Sequence, residues 1–209
     1  MTRAKGFKMK ELYIVRHGET DFNRQGIVQG SGVNSSLNKN GQLQALRFFQ
    51  KYKDVDFDYI YTSTLKRTHE TVQSFINQGI TWRIRGELRE IGWGIHEGQA
   101  ATKESKVQYQ SLIHNWKNGN LEAKIEGGES AANMVERLKK FLDELKMTEF
   151  DKALICTHGR TMRFLLCLLN NDNFQEMEKY KVLNTSLYIV ENAGDNFHIR
   201  IQNDLSHLQ

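Results

Sequence analysis

Apolar residues along the chain fall into two alternating patterns. Short continuous runs, Leu12 to Val15 and Ala153 to Cys156, read as buried strands. Val55 to Tyr61 and Trp82 to Glu90 read as two further strands, each bounded by polar or glycine residues. Between the runs, apolar positions recur at helical spacing. Asn38 is placed to cap a helix whose inner face carries Leu43, Leu46 and Phe49. Thr62-Ser63-Thr64 is placed to cap a helix with a buried stripe of Leu65, Thr68, Val72, Phe75 and Ile76. Lys103 to Trp116 is expected to be helical within an otherwise polar stretch, 100–128, of weak periodicity. A long helix starts at Glu129-Ser130 with Met134, Leu138, Phe141, Leu142 and Leu145 inside, and a last one runs from Arg160 to Leu169. Asn184 to Val190 and Phe197 to Ile201 read as a hairpin turning at Gly194-Asp195. Strands alternating with helices predict an α/β sandwich with its site at the strand carboxyl ends.

Composition narrows the class. With 39% hydrophobic and 26% charged residues in 209, the chain has room for one substantial core. No apolar run approaches the ~18 residues of a membrane span, so no membrane association is expected. Residues 1–10 carry Arg3, Lys5, Lys8 and Lys10 without a following apolar segment. They read as a flexible tail rather than a signal peptide, leaving 11–209 as a single domain. The net charge of +4 suits an anionic small molecule. Basic and acidic residues are interspersed, so nucleic acid is not an expected partner. Cys156 and Cys167 lie in apolar segments and read as buried thiols of a cytoplasmic protein. The absence of proline has no physical explanation in the sequence.

The candidate chemistry begins where the first strand ends. Arg16-His17-Gly18-Glu19-Thr20-Asp21-Phe22-Asn23 brings a guanidinium, an imidazole and a carboxamide into one turn. An imidazole can attack phosphorus, and the other two groups can hold phosphoryl oxygens. A second histidine, His158, follows the Ala153–Thr157 run and opens a helix, a natural anion site. Arg67 lies in the first turn of another helix, where it opposes the helix dipole unless an anion sits between them. Glycine-rich Gln25 to Gly32 lacks the ending of a nucleotide-binding P-loop. Spacing suited to metal ligands is absent, so neither metal nor cofactor is expected.

Together these segments resemble the histidine phosphatase superfamily, also called phosphoglycerate mutase-like. The first turn matches its R-H-G-x-T-x-x-N signature. Tyr61 to Thr68 is similar to S-S-x-L-x-R-A, Leu88 to Gly98 to L-x-E-x-x-x-G-x-x-E-G, and Thr157 to Arg163 to [ST]-H-G-x-x-x-R. Asn203 to Leu208 resembles the family's N-D-x-x-H-L ending, so the likeness spans residues 11–208. Arg160 is bulkier than the residue usual at its position. The resemblance implies a three-layer α/β/α sandwich with a mixed, mostly parallel central sheet. It also implies a metal-independent phosphomonoesterase acting on small phosphorylated metabolites. His17 is then the nucleophile, Glu90 the acid and base, and Arg16, Arg67 and His158 the phosphoryl-binding groups. Asn23, Gln29, Gly30 and the Gly159 N–H fall at substrate-contacting positions. His96, Tyr109, His114 and Trp116 are possible specificity residues in the covering segment. Two other readings stay open: a phosphoglycerate mutase-type phosphoryl transfer, and a non-catalytic phospho-ligand binding module, which would have no use for His17 together with Glu90. The sequence does not decide between monomer and homodimer.

Overall fold

The computed structural model describes residues 10–193 and 196–209. Alternation along the first strand, β1 (Glu11–Arg16), explains the layering. Leu12 and Ile14 face one core, and Tyr13 and Val15 face the other. β4 (Lys152–Thr157) repeats this, with Ala153 and Ile155 on the first side and Leu154 and Cys156 on the second. A strand buried on both faces needs a helical layer on each side. Helices α2 (Lys39–Tyr52) and α3 (Lys66–Ile76) supply one through Phe48, Val72 and Phe75. Helices α4 (Lys103–Lys117), α5 (Ala131–Met147) and α6 (Gly159–Leu169) supply the other. Each fully buried Leu, Ile or Phe there contributes roughly 1.5–3 kcal/mol.

Among the described residues, six strands form one sheet in the order β3-β2-β4-β1-β5-β6. β2 (Tyr59–Thr62), β3 (Thr81–Ile84), β4 and β1 run parallel. β5 (Leu187–Ala193) and β6 (Asn196–Asp204) add an antiparallel margin, completing the mixed, mostly parallel three-layer sandwich expected. A short helix, α1 (Asp21–Gln25), follows β1 and is closed by a capping box between Thr20 and Asn23. Both cysteines are buried, free thiols.

Several local expectations need correction. Of the expected inner face of α2, only Phe49 packs against the core, against Phe75 with ring centroids 5.0 Å apart; Leu43 and Leu46 are 45% and 46% exposed, and the buried residues are Gly41, Ala45 and Phe48. Gly41 sets the rotation. A Cβ there would sit 2.1 Å from the Glu19 carbonyl oxygen, so this point of the helix is pressed against the loop after β1. Helix α3 has no side-chain cap from Thr62-Ser63-Thr64; its N-cap is Leu65, and the Lys66 N–H is met instead by Asn34 Oδ1 at 2.8 Å. The third strand stops at Ile84 because its partner β2 ends at Thr62, after which Gly86–Leu88 forms a 3₁₀ turn. The second strand starts only at Tyr59, since Val55 and Phe57 are used in a turn. The tail hairpin starts at Leu187 rather than Asn184, and its turn, Gly194-Asp195, lies outside the described residues. Lys10, at the end of the expected tail, is held in place. Its ammonium donates to the carbonyls of Leu145 and Thr148 at 2.9 and 2.7 Å, where helix α5 ends.

Candidate active site

Parallel pairing of β1 with β4 builds the centre of the site. Arg16 pairs in register with Thr157, so the next residues on the two strands, His17 and His158, emerge side by side with ring centroids 5.1 Å apart. Both are buried. The Nδ1–H of His17 donates to its neighbour's carbonyl, Gly18 O, at 2.7 Å. A carbonyl can only accept, so the proton is on Nδ1 and the lone pair is on Nε2. Burial, followed by the charges of Arg67 and Arg16, holds the His17 pKa well below its ordinary 6.5. The ring is therefore neutral and nucleophilic at Nε2. Thr71 fixes the turn by accepting the Gly18 N–H through Oγ1 at 2.9 Å.

Arg67 is fully buried at the start of α3. Its Nε–H donates to His158 Nδ1 at 3.2 Å, and its two amino groups donate to the carbonyls of Val33 and Gly30 at 2.6 and 3.3 Å. His158 pairs on its other side, through Nε2, with Ser63 Oγ at 2.8 Å. Since Nδ1 accepts from Arg67, the His158 proton lies on Nε2. Burial and then Arg67, His17 and Arg16 push the His158 pKa well below 6.5. His158 thus reaches a phosphoryl oxygen only by exchanging its bond to Ser63. Arg16 donates through Nη1 to Val182 O at 3.0 Å, while its Nε is buried without a partner. Burial lowers the pKa of both Arg16 and Arg67 to about 10, which leaves each charged at neutral pH.

Glu90 sits where α6 begins, 7% exposed. Oε1 accepts the Ile91 and Thr161 N–H groups, each at 3.0 Å, and the Thr161 hydroxyl at 3.1 Å. Oε2 accepts the Arg160 N–H at 3.0 Å. Arg16 Nε and Glu90 Oε2 both flank the Gly159 Cα, at 3.6 and 3.7 Å from the position of a Cβ there. Oε2 is therefore the carboxyl oxygen on the side of Arg16. The segment is fixed by Thr157, whose hydroxyl donates to Leu88 O at 2.8 Å, and by Glu129, which pairs with Arg89 and Arg137. Glu97 has a bracing task instead, accepting the Gly32 and Trp93 N–H groups at 2.7 and 2.8 Å.

The remaining expected residues divide. Asn23 uses its carboxamide oxygen on Thr20 N and Asn184 Nδ2, at 3.2 and 3.3 Å, so its NH₂ is the donor it can offer. Gln29 has both ends of its amide occupied within the loop, by Thr20 and Ser35. Gly30 holds Arg67 through its carbonyl, and a Cβ there would meet Glu97 Oε1 at 1.9 Å. The Gly159 N–H belongs to the first turn of α6, where helices lack internal acceptors. Among the possible specificity residues, Trp116 is a fully buried core residue, donating through Nε1 to Ala123 O at 2.9 Å. His114 bonds Asn118, the C-cap of its own helix, at 3.0 Å.

Four supporting residues were given no site role from the sequence: Ser63, read as part of a helix cap, Asn184, read as a hairpin residue, Thr71 and Thr161. Asn184 donates to His17 O at 3.0 Å. Each is a small polar residue acting across a long sequence distance, a pattern with no local periodicity to reveal it. Among the described residues no group of three or more His, Cys, Asp or Glu side chains is placed to hold a metal ion, and no helix is long and apolar enough to cross a membrane.

Comparison with known proteins bears on the family and the fold. The model of the histidine phosphatase superfamily (branch 1) matches residues 12–205. A putative phosphoserine phosphatase 2 of Hydrogenobacter thermophilus is 26% identical, covering 95% of this chain and 98% of its own. A probable phosphoglycerate mutase of Erwinia tasmaniensis is 27% identical over 91% of this chain and 95% of its own. The crystal structure of a phosphoserine phosphatase from Entamoeba histolytica in complex with 3-phosphoglyceric acid superposes with a TM-score of 0.83 at 25% identity, covering 96% and 100% of the two chains.

Proposed function

Because the chain belongs to branch 1 of the histidine phosphatase superfamily, we propose that it is a metal-independent phosphomonoesterase acting on small phosphorylated metabolites through a phosphohistidine on His17. The observation that carries this reading is the state of His17: neutral, with Nδ1–H tied to Gly18 O and Nε2 free, between two charged arginines. Nε2 attacks phosphorus, and the bond from phosphorus to the ester oxygen breaks. That oxygen leaves with a proton from Glu90 Oε2. Arg16 Nε, Arg67 and the Gly159 N–H stabilise the charge on the phosphoryl oxygens, and His158 orients Arg67. In the second step water attacks phosphorus, Glu90 takes its proton, the P–N bond breaks and phosphate departs. Phosphomonoester hydrolysis is among the slowest uncatalysed reactions, which is why nucleophile, acid and charge are all needed.

The test is to measure phosphate release from a panel of phosphomonoesters and to trap the phosphoenzyme in a base-stable, acid-labile form. Wild-type protein is expected to turn over in the presence of a chelator, and His17→Ala is expected to lose both turnover and label. Activity lost in chelator and restored by a divalent ion would reject the mechanism.

A further inference from the structure

A cavity of about 400 Å³ is walled by Val28, Trp93, His96, Ala101, Tyr109 and Ile125. Its walls lie next to the phosphoryl site at three points. Val28 directly precedes Gln29 and Gly30, and the Gly30 carbonyl holds Arg67. The Trp93 N–H donates to Glu97 Oε1 at 2.8 Å, and that oxygen lies against Gly30. The Tyr109 hydroxyl accepts from the Arg160 guanidinium, and the Arg160 N–H holds Glu90 Oε2. The cavity thus begins on the side of Glu90, where the alcohol leaves.

Its chemistry is aromatic and short of free charge. The Trp93 and Tyr109 rings stand 5.5 Å apart at 59°, a wall suited to an aromatic edge or face. The nearby guanidiniums are largely paired: Arg160 with Glu178 and Tyr109, leaving its Nε without a partner, and Arg163 with the Tyr180 and Gly159 carbonyls. Among the described residues Lys106 is the one charged residue lining the cavity, and it is solvent-exposed. One buried polar atom among the wall residues has no partner, His96 Nε2. A carboxylate brought here would lose its hydration without gaining a buried cation.

We infer that this cavity receives the alcohol half of the substrate, and that it selects an apolar, ring-bearing alcohol anchored by one hydrogen bond to His96 rather than a small carboxylate-bearing one. The inference rests on the phosphomonoesterase reading above. The reaction is the same hydrolysis, a phosphate monoester and water giving the ring-bearing alcohol and inorganic phosphate.

The test compares esters of equally poor leaving groups. Released phosphate gives kcat/KM for 2-phenylethyl phosphate, 2-(4-hydroxyphenyl)ethyl phosphate, phosphoserine and 3-phosphoglycerate. Burying a phenyl ring predicts a preference of about ten- to hundred-fold for the phenylethyl ester over the two carboxylates. The added hydroxyl is expected to gain several-fold more, a gain that His96→Leu removes. In Ala101→Phe, which narrows the cavity, the ratio of phenylethyl ester to phosphoserine is expected to fall at least five-fold. That ratio is taken within one protein, so it is insensitive to folding yield. Equal or better turnover of the carboxylates overturns the cavity assignment and leaves the hydrolase reading standing. A hydroxyl gain below two-fold rejects the part given to His96. Calorimetry with the non-hydrolysable 3-phenylpropylphosphonate and 2-amino-4-phosphonobutanoate separates the two readings. Tighter binding of the former, with no phosphate released from any ester, keeps the cavity and rejects the hydrolase. Equal binding rejects the cavity whatever the turnover.

Discussion

The Nε–H of Arg67 donates to Nδ1 of His158 at 3.2 Å, so the second histidine of the site is an acceptor towards its arginine and a donor towards Ser63. Ser63 is therefore a positioning residue: it fixes the His158 tautomer that keeps Arg67 Nε in place. One such hydrogen bond is worth about 1 kcal/mol. Ser63→Ala is expected to lower kcat/KM by about five-fold. Ser63→Thr, which keeps the hydroxyl, should recover most of the loss. Both variants are to be compared with wild type at matched folded fractions. Equal losses in the two would assign Ser63 a packing role only.

Glu90→Gln is expected to separate leaving groups. An alkyl ester needs a proton on its departing oxygen and should lose the ~10²–10⁴-fold typical of a missing general acid. A nitrophenyl ester, whose oxygen leaves unaided, should lose far less. The amide also places an NH₂ against one of the donors now around Glu90, the N–H groups of Ile91, Arg160 and Thr161. A stability cost of about 1–3 kcal/mol is therefore expected alongside, read from urea midpoints. Equal kinetic losses on both esters would remove Glu90 from the acid role.

His17 and His158 predict a pH dependence of stability. Burial holds both well below the ordinary 6.5 in the folded state. Below that value the unfolded chain binds protons that the folded chain refuses, so stability falls as pH falls. The slope is about 1.4 kcal/mol per pH unit for each histidine, starting near pH 6.5 and ending at the folded value. Above pH 7.5 the two contribute no slope. The double variant His17→Asn, His158→Gln should show a shallower loss between pH 6.5 and 5.5, by about 2 kcal/mol. Parallel stability curves for variant and wild type would contradict the assignment.

The phosphoryl group is expected to pass to water far more often than to a second hydroxyl. A mutase has to grip the carboxylate of its monophosphoglycerate while the phosphohistidine survives, and water has to be kept out. Residues 100–128 contain no arginine. Arg160, the guanidinium that meets this segment, is occupied by Tyr109 and Glu178. With 3-phosphoglycerate and catalytic bisphosphoglycerate, free phosphate should outrun 2-phosphoglycerate. The reverse order would favour transfer.

The sequence by itself determined the elements whose causes are local. Strands β1 and β4 were legible because they are short apolar runs buried on both faces, and α4 and α6 were placed within a residue or two of their ends. His17, His158, Arg16 and Arg67 could be proposed as one site because each stands beside a strand end or helix start that punctuates the sequence, while Glu90 was put forward through the likeness of Leu88 to Gly98 to a family segment. Only the tertiary structure decided what depends on partners far along the chain. Helix α2 turned its Gly41-Ala45-Phe48 face inward because Gly41 is pressed against Glu19, a contact that helical spacing cannot encode when several apolar stripes compete. The His158 tautomer is set by Ser63 and Arg67, 95 and 91 residues away. Hydrogen bonds of small polar side chains leave no periodic trace in a sequence, since they need only one atom in the right place. That is why the proposed nucleophile could be named from the sequence, while the residues that hold its surroundings could not.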